Sequence, residues 1–240
     1  MKIRKLQPAI MAAVLAGAMA APNLFAAYVG LDGTLNFSAS THQNGNGGEF
    51  NAVTTGLGSF ATFCIEEAEN ISQPPSGPYT YTINTGAVTG DAGANAIDPN
   101  TGLAMDNISI GTAWLYSQFR AGTLTLDTGS GSYFDANRLA NAGEVQNAIW
   151  FLEGEGGQNN GYVALAETAL GTNLAGIEAD SNGAYGVVAL NLFSNGGLAQ
   201  DQLAVVSVPE PVPEPTTAGC FLLGMGALAC FRRFTQKRRS

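Results

Sequence analysis

Two side chains in this 240-residue sequence, Cys64 and Gln146, have the types and surroundings for a covalent reaction. The other two cysteines, Cys220 and Cys230, lie in an apolar C-terminal segment, so Cys64 has no disulfide partner in the body of the chain. A lone thiol in an oxidising compartment has to be buried or used. Phe63-Cys64-Ile65-Glu66 reads as part of a strand, and Val145-Gln146-Asn147-Ala148-Ile149-Trp150 as part of a helix. A cysteine sulfur held against a glutamine carboxamide in a dry site can attack its carbonyl carbon and expel ammonia. The product is an internal thioester, a stored electrophile that a partner's amine can later open. A plainer role is open to the same residues. Cysteine is among the most buried residue types and often only fills a core, and Gln146 and Trp150 can simply pack a helix edge.

Other chemistry finds less support. The G-x-S-x-G elbow, the P-loop and the dinucleotide fingerprint are all missing from the sequence. His42, the single histidine, sits in the polar stretch Thr41–Gly48 with no cysteine or histidine at ligand spacing, which reads as a solvated loop position. Glu66, Glu67 and Glu69, or Glu153 and Glu155, could pair for acid–base work, but their spacing reads first as a solvated face. Asp127–Asp135 places oxygen ligands near glycines without the register of an EF-hand. No cofactor is implied, and the reading is non-enzymatic.

The elements that must hold Cys64 and Gln146 follow from periodicity. Ala27–Ser40, Gly58–Glu66, Tyr79–Asn84, Leu124–Asp127, Tyr185–Phe193 and Gln202–Val208 read as strands. Pro74-Pro75 and Asp98–Gly102 mark turns. Asp106–Phe119 reads as a helix closed by Gly122. Ala136–Glu153 reads as a second, with Asp135 as N-cap, Gly154 beyond its end and Leu139, Ala142, Val145, Ile149 and Leu152 on one stripe. Tyr162–Leu170, ended by Gly171, is the third. The expectation is one α+β domain over residues 27–207, a β-rich sandwich or barrel-like body with about three inserted helices.

Charge separates that body from its ends. Seventeen of the nineteen acidic residues lie between Asp32 and Asp201, where the only basic residues are Arg120 and Arg138 and lysine is absent. Such a surface excludes nucleic acid and anionic lipid as partners, since both need clustered Lys or Arg. Residues 1–26 read as a signal peptide: a basic start, the apolar run Pro8–Ala20, and cleavage after Ala20 or Ala26. At the other end, Val208–Pro215 repeats Val-Pro-Glu-Pro, a sequence that enforces an extended, unpaired backbone. Thr216–Phe231 follows as an apolar segment of roughly 24 Å if helical, and then a basic cluster headed by Arg232 and Arg233. The positive-inside rule keeps that cluster in the cytoplasm.

Pro-Glu-Pro, a short apolar helix and a terminal arginine cluster, in that order over residues 208–240, resemble the PEP-CTERM sorting signal. The resemblance implies export by signal peptidase and removal of the tail by a membrane-embedded exosortase in a Gram-negative bacterium. The protein would pass through the inner membrane to the cell surface or an exopolysaccharide matrix. Pro213, Glu214 and Pro215, with Arg232 and Arg233, match the motif best. The segments around Cys64 and Gln146 resemble the thioester domains of bacterial surface adhesins. Those carry an aromatic-Cys-Ile/Val-acidic strand and a Thr-Gln-x-Ala-Ile-Trp helix, with Val145 standing here where threonine is usual. By that resemblance Cys64 and Gln146 form the bond, and the partner carries an amine. The competing reading is a structural matrix protein that binds exopolysaccharide through exposed Tyr and Asn loops. A secreted hydrolase using paired carboxylates ranks last.

Overall fold

The computed structural model describes residues 33–45, 47–88, 95–98 and 101–206. The signal peptide, the sorting motif at Pro213, Glu214, Pro215, Arg232 and Arg233, and the apolar segment between them fall outside these residues. Among the described residues no helix is long and apolar enough to cross a membrane.

Side-chain alternation builds the sheet. In β6 (Ser76–Asn84) Tyr79, Tyr81 and Ile83 are buried, and Thr80, between the two tyrosines, is exposed. β1 (Gly33–Ser38) does the same with Leu35 and Phe37, and β4 (Phe50–Thr54) with Phe50 and Ala52. With β5 (Gly58–Thr62), β10 (Val187–Ser194) and β11 (Gly197–Val205) they form a six-stranded sheet in the order β11-β10-β6-β1-β4-β5, every pair antiparallel. Register shifts between Leu35 and Phe37 and between Leu190 and Leu192 bend the sheet into a half-barrel. The chain just past β5 then meets the opposite edge. Leu203 N–H donates to the Phe63 carbonyl at 3.1 Å, and Ile65 N–H donates to the Asp201 carbonyl at 3.0 Å. Cys64, paired with Gln202, sits at that seam.

Two short sheets flank the half-barrel: the hairpin of β2 (Gln43–Asn44) and β3 (Gly47–Gly48), and the three-stranded β7-β9-β8 (Gly86–Val88, Ala104–Asn107, Ala96–Ile97). Four helices cover one face: α1 (Ile110–Ala121), α2 (Arg138–Leu152), α3 (Gly161–Leu170) and the single turn α4 (Leu174–Ile177). The architecture is α+β. One apolar cluster packs Leu35, Phe37, Phe50, Tyr79, Tyr81, Leu190 and Cys64. A second packs Phe63, Ile65 and Leu203 of the seam against Tyr116, Phe119, Val145 and Ile149 of the helices. Neighbouring residues of the seam thus feed both cores.

Local chemistry sets the helix ends. Ser109 Oγ accepts the Thr112 N–H at 3.1 Å, so α1 begins at Ile110 and not at Asp106; Ala104–Asn107 is taken by the ladder with β7. Gly122, at φ 72°, closes it as the sequence indicates. The Asp135 cap does not form. Its Oδ1 accepts the Asn137 N–H at 2.7 Å in a turn before the helix, and α2 starts at Arg138 without a side-chain cap. Leu139 is 47 % exposed and leaves the apolar stripe, whereas Ala142, Val145, Ile149 and Leu152 are buried. Leu124–Asp127 is not a strand; only Thr125 makes a bridge, to Ser132. Strand β4 and the single turn α4 have no counterpart in the sequence reading; with α4, the described residues hold four helices where about three are expected.

Candidate functional site

Cys64 and Gln146 meet. The Cys64 N–H donates to Gln146 Oε1 at 3.1 Å, and Gln146 Nε2 donates to the Cys64 carbonyl at 2.8 Å. The carboxamide therefore lies against the Cys64 backbone, held at both ends. Cys64 is fully buried and Gln146 is 1 % exposed. Gln202 Nε2, from the opposite side of the seam, donates to Cys64 Sγ at 3.3 Å.

Three features put Gln146 there. It projects from the third turn of α2, next to the apolar positions Val145 and Ile149 that seat the helix on the core. The start of α2 is fixed by Arg138, whose Nε and Nη2 donate to the two carboxylate oxygens of Glu49 at 2.8 and 2.6 Å. Tyr133 donates its hydroxyl to the same carboxylate at 2.6 Å, and the Arg138 guanidinium lies 5.0 Å from the Phe134 ring centroid. The third feature is Gly47. A Cβ there would stand 2.5 Å from Gln146 Cγ and 2.8 Å from the Trp150 ring, so only glycine lets the β2–β3 hairpin close over the glutamine. Asn44 secures that hairpin by donating from Nδ2 to the Leu139 carbonyl at 3.3 Å.

The surroundings set the reactivity. Burial pushes the Cys64 thiol up to about 12; the Gln202 donor works against that shift and the nearby Glu66 adds to it. The sulfur is thus a protonated thiol at neutral pH. The donor from Cys64 N–H points at the carboxamide oxygen, where negative charge develops when a nucleophile adds to the carbon. Beside Gln146 a cleft of about 390 Å³ opens, lined by Asn44, Glu67, Glu144, Asn147 and Trp150 among others. Two carboxylates and an indole are among its lining groups.

Of the carboxylates read as a solvated face, Glu67 is exposed, but Glu66 and Glu153 are not. Glu66 is 2 % exposed, and its carboxyl, that of half-buried Glu69 and that of fully buried Asp201 converge within 4.8 Å. Glu153 is also buried; it accepts from Ser109 N–H at 3.2 Å and Ser109 Oγ at 2.7 Å, and desolvation pushes it up to about 7. It anchors the start of α1. His42 is half-buried, with Nδ1 4.0 Å from Glu49 Oε2. Sequence reasoning missed Gly47, Asp201 and Gln202. For the last two the sequence carries a signal, a polar Gln200-Asp201-Gln202 run inside a strand whose neighbours are apolar.

No family model matches the chain, and no curated protein or solved structure is found to be similar to it.

Proposed function

We propose that this protein is an exported surface or matrix protein that attaches covalently to a partner through a Cys64–Gln146 thioester. The observation that carries the reading is the two-point docking of the Gln146 carboxamide on the Cys64 backbone inside a dry site. The bond forms between Cys64 Sγ and Gln146 Cδ. The Cδ–Nε2 bond breaks, the thiol proton passes to the departing nitrogen, and neutral ammonia leaves. Cys64 N–H stabilises the oxygen of the tetrahedral intermediate, and Gln202 stabilises the sulfur as it gives up its proton. In the reverse sense, a partner's primary amine adds to Cδ, an amide forms, and the Cys64 thiol is released. Glu67 and Glu144 at the cleft favour the approach of an ammonium group, such as a lysine side chain. The described residues include no lysine, so copies of the domain cannot consume one another through that side chain.

The ends of the chain give the address. The leader of residues 1–26 and the PEP-CTERM-like tail of residues 208–240 support export, tail removal by an exosortase and delivery to the cell surface or an exopolysaccharide matrix of a Gram-negative bacterium.

Intact mass of the exported protein tests both halves. The expected species lacks the leader and everything beyond the Pro-Glu-Pro region, and weighs one ammonia less than its sequence. Methylamine should add one methylamine and expose one alkylatable thiol; Cys64→Ala and Gln146→Ala should each abolish that response. Full burial of the thiol favours a second reading, in which Cys64 is inert and Gln146 is a clamp across the seam. The unmodified mass, with no response to methylamine, would establish that reading and make exopolysaccharide binding the better function.

A further inference from the structure

Glu66, Glu69 and Asp201 converge at the seam of the half-barrel, two from the segment just past β5 and one from β11. One carboxylate oxygen from each lies within 4.8 Å of the other two. Glu66 and Asp201 are 2 % and 1 % exposed, and Glu69 is half-buried. Three carboxylates in so small and dry a space carry a large Coulomb cost unless something positive sits among them.

The protein supplies no such charge among the described residues. Arg138, at the start of α2, is committed to Glu49. Arg120 lies 5.0 Å from the Phe60 ring centroid and donates to the Ala61 carbonyl. Lysine is absent from the described residues, and His42 faces Glu49. Further acids, Asp98 and Glu155, add to the negative field at the cluster.

Glu66 marks the point where the ligand belongs. Neither of its carboxylate oxygens has an N–H donor, and the group it meets is the carboxyl of Glu69; its backbone carbonyl accepts from Gln200 Nε2 at 2.6 Å. A buried carboxylate without a donor is rare and calls for a missing partner. Asp201 differs: Oδ1 accepts the Leu192 N–H at 2.7 Å and Oδ2 the Val88 N–H at 2.8 Å. Asn191 Nδ2, with its amide oriented to satisfy its neighbours, also donates to Oδ2 at 2.9 Å; these bonds lock the orientation of Asp201 and leave a lone pair on Oδ1 for a further contact.

We propose that Glu66, Glu69 and Asp201 bind a hard divalent cation of the calcium class. Calcium takes oxygen ligands at about 2.3–2.6 Å, so two oxygens on one ion stand no more than about 5 Å apart, which the cluster satisfies. Its tolerance of irregular geometry suits one rigid ligand, one buried ligand and one half-exposed ligand that leaves room for water. The ion ties residue 66 to residue 201 beside the Cys64–Gln202 bridge, and so pins the edge on which Cys64 sits. The inference stands whether or not the thioester forms.

Calorimetric titration of calcium into the EDTA-stripped full-length chain, held in detergent, tests this, with circular dichroism to confirm folding and a thermal melt on each sample. The expected result is one calcium per chain, with a Kd on the order of 10⁻³ M or tighter, and a melting temperature that rises with calcium. Glu66→Gln should weaken binding at least about tenfold, and the metal-free variant should melt no lower than the metal-free wild type. Glu69→Gln, at a part-exposed position, should give the same loss of affinity and keeps the test open if the first variant fails to fold. A folded wild type that binds no calcium in this range and whose melt ignores it would overturn the proposal and leave protons as the charge balance. Equal calcium binding by the wild type and a folded variant would overturn it too, by placing the ion at other surface acids.

Discussion

At the residue scale, the site depends on a side chain that is missing. Gly47 has room for a hydrogen and nothing more, because Gln146 Cγ and the Trp150 ring occupy the space a Cβ would need. Gly47→Ala must therefore push the hairpin off α2 or push Gln146 off Cys64. Both movements stretch the hydrogen bonds at 2.8 and 3.1 Å that hold the carboxamide. Misplacement by about 1 Å can cost 10²-fold in a positioned reaction. The expected outcome is a folded protein in which thioester formation, read as loss of ammonia by mass, falls by about that factor in rate. A Gly47→Ala protein that acquires the bond at the wild-type rate would show that the close approach has no part in positioning.

At the scale of elements, α2 carries Gln146 and owes the placement of its first turn to one ion pair. Glu49 is nearly fully buried, and Arg138 with Tyr133 satisfies its carboxylate. Removing the arginine leaves a buried charge with one neutral donor, a type of loss that costs about 3 kcal/mol after allowance for the part-exposed guanidinium. Arg138→Ala should lower the denaturant midpoint accordingly and leave the slope unchanged. Glu49→Gln combined with Arg138→Ala should recover part of the loss, since the double variant buries no charge. Most of α2 could be read in the sequence, because four of its apolar positions recur with the helical period and face the core. Its start could not, since the partner that fixes it comes from residue 49, far along the chain. Leu139 fits the same period but lies in the first turn, where the helix has not yet reached the core. Strand β4 was illegible for a different reason: its buried Phe50, Ala52 and Thr54 make a weak alternation that only pairing with β1 and β5 completes. The meeting of Cys64 and Gln146 was legible from residue type and element, but the burial of Glu66 was not. Two acids beside it in the sequence suggest solvent, and only the closure of the sheet edge against β11 brings Asp201 over it.

At the scale of the whole molecule, the acidic charge makes stability depend on pH in an unusual direction. Buried carboxyls ordinarily gain from ionisation through salt bridges, but this domain has two arginines to offer among its described residues. Glu153 shows the consequence. Burial raises it from 4.5 to about 7 despite the donors from Ser109, with Asp106 adding a smaller upward push. Asp180 and Glu178 line the same cleft and add no positive charge. A carboxyl whose folded value lies above its unfolded value binds the proton more tightly when folded. Its stabilising contribution is therefore complete below pH 4.5, and is lost progressively as the pH rises to about 7. The full swing is about 3 kcal/mol for this one group. Glu66 and Asp201, also raised by burial, act in the same direction when no cation is bound, so Glu153 has to be isolated by difference. Glu153→Gln keeps an oxygen to accept from Ser109 and removes the titration. In chelator, the wild type should lose more stability than Glu153→Gln between pH 4.5 and pH 7, as measured by denaturant melts across that window. Parallel pH profiles for the two proteins would mean that Glu153 stays ionised in its pocket and that the acidic domain balances its charge by another route.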